Sequence, residues 1–194
     1  MTVKGAMRRQ VDYFDRAGPE NTARCIEIAA GLADEGVRDF VVASTTGKTG
    51  ADMAVALEGR KVNLVVIGHS VGFKAPNHDE FLPEHLDRIK EAGGTVFRGT
   101  ILTHSLETGI SSAFGGSYPT QIIAGALRRL GQGTKVACEI VMEACDAGLV
   151  AEDREVAAIA GTGRGADTVV LIRSKASKRF LELVVLEILA KPRA

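Results

Sequence analysis

The chain has 194 residues, 45% of them apolar, with 24 basic against 24 acidic side chains and three cysteines. That length supports one sizeable core, so a single domain is expected over residues 11–194 behind an N-terminal extension at 1–10. The balanced charge argues against a nucleic-acid partner, apolar runs of only strand length argue against a membrane span, and Cys25, Cys138 and Cys145 lack metal-ligand spacing or an even count for disulfides.

In chain order, residues 11–14 form a short strand candidate, and Gly18-Pro19 breaks it. Residues 20–35 carry Ala23, Ile26, Ala30 and Leu32 at helical spacing. A strand at 38–43, a hydroxyl-rich turn at 44–49 and a helix at 50–58 follow. Next come a strand at 61–67, a long loop at 68–82, a helix at 83–92 stopped by Gly93-Gly94, and a strand at 95–98. This alternation implies right-handed crossovers and a mostly parallel sheet. Residues 105–148 read as two or three helices, and strands at 154–160, 168–173 and 183–189 close the chain. Their short connections favour antiparallel pairing at one edge. The expected fold is a three-layer α/β/α sandwich on a mixed sheet. Residues 1–10 hold Lys4, Arg8 and Arg9 but no apolar core, so no secretion signal is read and a cytoplasmic protein is expected.

The stretch Ser44-Thr45-Thr46-Gly47-Lys48-Thr49 lies between a strand and a helix start. There, unpaired backbone N–H groups, hydroxyls and the Lys48 ammonium can converge on a phosphate. The alternative is a plain helix-capping loop. Gly47-Lys48-Thr49 looks like half of a P-loop, but the position five residues before Gly47 is Val42, which cannot form the wide backbone cradle of a triphosphate site.

Gly68-His69-Ser70-Val71-Gly72 fits the nucleophile-elbow pattern after a strand. An elbow needs a helix directly after the serine, whereas residues 73–77 read as loop and His104 is the last histidine. A serine hydrolase through Ser70 therefore stands behind a plain glycine-rich loop. Gly161-Thr162-Gly163-Arg164-Gly165 leads into a strand rather than a helix, which removes the dinucleotide reading. Arg164 is left either to clamp an anion or to pair with Asp167. His69, His78, His85 and His104 show no ligand spacing, and no metal site is expected. Glu139 and Glu143, one turn apart, read as a solvated face, with a functional acid pair as the alternative. Phe73 and Phe114 sit beside glycines and suit either ring stacking or core packing.

Further pieces stand in order: Pro19-Glu20-Asn21-Thr22, Val41-Val42-Ala43-Ser44 with Gly47 and Thr49, Gly72-Phe73, Leu82-Pro83, His104 with residues 105–111, and Phe114-Gly115-Gly116. They continue with Ala126-Leu127-Arg128, Gly133 with Lys135-Val136, Asp146-Ala147-Gly148 and Gly163-Arg164-Gly165-Ala166-Asp167-Thr168. Together these resemble the stand-alone archaeal and bacterial proteins similar to the C-terminal domain of pyruvate kinase, over about residues 12–193. The departures are residues 1–10 and the pair His69-Ser70.

The resemblance implies the pyruvate kinase C-terminal-domain-like fold. It also implies that Ser44, Thr45, Thr46, Gly47 and Thr49 occupy the turn that holds an activator phosphate in pyruvate kinase. The catalytic barrel is absent, so kinase activity is not implied. Flavin mononucleotide (FMN) is the ligand the resemblance implies. Two or three charge-assisted hydrogen bonds of about 1.5–3 kcal/mol each give at most micromolar binding after ordering costs, so other loops must hold the rest of the ligand. Gly72, Phe73, Phe114, Gly115 and Gly116 would form a ring slot, with Arg164 nearby. The leading expectation is a binder of a phosphorylated small molecule, FMN first. A flavin-dependent oxidoreductase and a sugar-phosphate sensor are the competing classes, and homo-oligomerisation is left open.

Overall fold

The computed structural model describes residues 7–100 and 105–193. His104 and most of the 1–10 extension lie outside them. In order the chain forms β1 (Asp12–Phe14), α1 (Thr22–Asp34), β2 (Asp39–Ala43), α2 (Lys48–Ala56), β3 (Asn63–Gly68), α3 (Pro83–Glu91) and β4 (Thr95–Arg98). Then follow α4 (Leu106–Phe114), α5 (Pro119–Leu127), α6 (Gln132–Asp146), β5 (Glu155–Ala160), β6 (Thr168–Arg173) and β7 (Val184–Pro192). The expected elements are present to within a few residues at their ends.

One seven-stranded sheet runs β1-β7-β6-β5-β2-β3-β4. The pairs β2 with β3, β2 with β5, β3 with β4 and β1 with β7 are parallel, while β6 runs against both β5 and β7. The 161–167 connection is too short for a helical crossover, which leaves β6 no parallel option. Antiparallel pairing was expected at an edge and is instead interior. β1 adds itself outside β7, pairing Asp12 with Ala190 and Phe14 with Pro192, so the N-terminal strand supplies the edge.

Side-chain alternation divides the core between two layers. Phe40, Val42, Leu64, Val66 and Ile159 join Cys25, Met53 and Ile89 of α1, α2 and α3. Val41, Val65, Ile67, Val156 and Val170 join Ala137, Ile140 and Val141 of α6 on the other face. This is the expected α/β/α sandwich. No helix among the described residues is long and apolar enough to cross a membrane.

Candidate functional site

A cleft of about 1280 Å³ opens at the carboxyl ends of the strands, where parallel α/β sheets gather their loops. Its walls come from the β2–α2 turn, the β3–α3 loop, the β5–β6 loop, the start of α1 and one face of α6.

The β2–α2 turn is built around Gly47. Its φ of 90° suits glycine, and a Cβ there would lie 2.5 Å from Phe81 Cε1 and 2.7 Å from His85 Cβ. This tight turn starts α2 at Lys48 rather than at residue 50, and Lys48 lines the cleft. One turn into the helix, Asp52 takes its ammonium at 2.6 Å, and the Lys48 side chain is 67% exposed. Ser44 is also turned inward: its N–H bonds Ile67 O at 2.9 Å and its Oγ accepts Gly50 N–H at 3.4 Å. Thr45, Thr46 and Thr49 line the cleft, with Thr49 buried. Gly47 offers no side-chain cap, and the Lys48 and Thr49 N–H groups show no hydrogen bond among the described residues. The helix start therefore keeps donors for an anion.

Across the cleft, Arg164 is exposed and makes no ion pair among the described residues. Asp167 is held instead by Thr162 N–H at 3.0 Å and the Thr168 hydroxyl at 2.8 Å. Of the two expectations for Arg164, pairing with Asp167 is not seen. The same loop joins the start of α1, where Ala166 N–H donates to Thr22 Oγ1 at 2.9 Å.

In the β3–α3 loop, the His69 ring lies 4.2 Å from Phe73, tilted by 43°, and His69 Nδ1 bonds Glu80 Oε2 at 2.9 Å. Residues 71–76 form turns and bends, and the next helix is α3. Ser70 thus lacks the helix start that an elbow uses for its oxyanion donors. The ring slot is not assembled as expected. Phe73 lines the cleft and Gly72 turns the same loop, but Phe114, Gly115 and Gly116 lie outside the lining, with Phe114 84% exposed. Among the described residues no cluster of His, Cys, Asp and Glu could hold a metal.

The residues that sequence reasoning misplaced are on α6. Lys135, Glu139 and Glu143 recur at i, i+4 and i+8, line the cleft and are 1%, 2% and 3% exposed. This overturns the solvated face expected for Glu139 and Glu143. The Lys135 ammonium pairs with the Glu139 carboxylate, and burial lowers the Lys135 pKa while Glu139 opposes the fall. Neither Glu143 carboxyl oxygen has a hydrogen-bond partner among the described residues. Burial, with a smaller push from Glu139, raises the Glu143 pKa to about 8. The sequence carried no signal against the solvated reading: Gln132, Lys135, Glu139, Glu143 and Asp146 share one polar stripe of an otherwise apolar helix, the pattern of an amphipathic helix with one face in water.

No protein-family model matches the chain.

Proposed function

We propose that this protein is a cytoplasmic relative of the pyruvate kinase C-terminal domain that binds FMN, with the phosphate against residues 44–49. The observation that carries the reading is the start of α2, whose free N–H groups and neighbouring threonine hydroxyls face a large cleft. A helix start favours an anion by about 0.3–1 kcal/mol. Arg164, from the facing loop, adds a second cation to Lys48, whose ammonium also meets Asp52. The cleft volume, 1280 Å³, exceeds the roughly 300–1,000 Å³ of typical small-molecule sites, which leaves room for a nucleotide-sized ligand. Phe73 offers a ring to the flavin.

The purified protein is expected to be yellow, or to quench the fluorescence of added FMN. Replacing both Thr46 and Thr49 with alanine should weaken FMN by about tenfold or more and leave riboflavin nearly unchanged. Equal losses would remove the phosphate assignment, and no quenching would remove the flavin.

A sugar phosphate is the second reading. With Phe114 outside the cleft, a flavin meets one aromatic wall rather than two, and the buried charges of α6 suit a hydroxyl-rich ligand. A thermal-shift panel of sugar phosphates beside FMN separates the two.

A further inference from the structure

Recognition of a phosphate by the β2–α2 turn leaves the charged row on α6 without a role. Glu143 is 3% exposed, borders the cleft, and has two carboxyl oxygens without donors among the described residues. A buried acceptor left unpaired costs stability. Lys135 is engaged by Glu139, and Glu139 is itself an acid, so the charged row offers Glu143 no partner of its own. We propose that Glu143 is the second recognition point of the cleft, pairing its carboxyl with a neutral hydrogen-bonding edge of the bound molecule: an imide, an amide or a hydroxyl. This rests on the reading that the cleft holds a phosphorylated small molecule.

The groups around Glu143 explain why the edge is neutral. On α6, Glu139 and Asp146 disfavour its ionisation and Lys135 favours it, with burial the largest influence. The strands beneath present apolar Val41, Val65 and Ile67. Elsewhere the nearby charges are engaged: Arg128 bonds Gln132 at 2.7 Å, and Asp146 accepts Ser177 N–H at 2.9 Å. Helix α5 carries no titratable side chain, and across the cleft His69 is held by Glu80. The carboxyl therefore keeps its proton to about pH 8. A protonated carboxyl presents one donor beside one acceptor, which complements an imide, amide or hydroxyl rather than an ammonium.

The test uses FMN, riboflavin and fructose 1,6-bisphosphate as probes of the full chain, followed by fluorescence quenching or calorimetry. Glu143→Gln should keep affinity within about threefold, because an amide also offers a donor and an acceptor. Glu143→Leu should lose about tenfold, close to one net hydrogen bond, and for riboflavin as much as for FMN. Wild-type affinity should fall as pH rises past about 8, while that of Glu143→Gln should not.

Wild-type affinity in Glu143→Leu overturns the proposal. So does a loss in Glu143→Gln as large as in Glu143→Leu, which would mean a charged partner. If alanine at Thr46 and Thr49 changes nothing while Glu143→Leu weakens binding, the phosphate reading falls and the Glu143 site stands. A wild-type protein that binds none of the three probes removes both. A carbon-13 NMR titration of the ligand-free protein that finds Glu143 in the ordinary carboxylate range overturns the proposal independently of any ligand.

Discussion

At Glu143 the folded chain holds a carboxyl whose pKa rises from 4.5 to about 8, mainly through burial. Between those values the folded protein keeps a proton that the unfolded chain has released, so stability falls as pH rises through the window. At about 1.4 kcal/mol per pH unit, the loss amounts to a few kcal/mol at most. Glu143→Gln should remove this contribution. Urea midpoints of wild type and variant should be similar at about pH 5 and separate at about pH 9, with the variant the more stable. Equal pH dependence would mean that the carboxyl is solvated or paired. Lys48 shows the opposite kind of local control, since an i, i+4 partner at Asp52 takes its ammonium. Glu143 and Asp52 are both visible in the sequence, but only Asp52 lies at a spacing that names its partner.

At the scale of elements, α6 is held so close to β6 that a side chain at Gly133 has no room. A Cβ there would overlap Thr168 and lie 3.1 Å from Asp167 Oδ1. Gly133→Ala should therefore cost about 1–3 kcal/mol by overpacking, measured as a lowered urea midpoint with an unchanged slope. It should also disturb the cleft, because Lys135, Glu139 and Glu143 ride on the same helix. Helix α4 illustrates how far periodicity reaches. Its pattern gave a helix at the right place, yet Leu106, Ile110 and Phe114 at i, i+4 and i+8 are 82%, 41% and 84% exposed, and it has no buried residue. Spacing identifies a helical stripe without saying what lies opposite it; Phe114, expected in the ring slot for its place beside Gly115, ends this stripe exposed and outside the cleft lining.

Across the whole molecule, β2, β3, β5 and β6 each pair on both sides and are covered by helices on both faces. Their amides should exchange most slowly with deuterium, and those of α4 among the fastest. Fast exchange in β5 or β6 would contradict the interior place of the reversed strand. Strand–helix alternation, the glycine turn at 47, the helical middle and the α/β/α class were all set by the sequence alone. Each follows from neighbours within a few residues: apolar period, turn chemistry and connection length. Tertiary structure decided the rest. It sent β1 to the edge beside β7, turned Ser44 inward to Gly50, freed Arg164 from Asp167 and buried the charged row of α6 in the cleft wall. The place of β1 and the burial of the α6 row depend on which surfaces meet across long stretches of chain, and burial, which raises the pKa of Glu143, exists only once those surfaces have met.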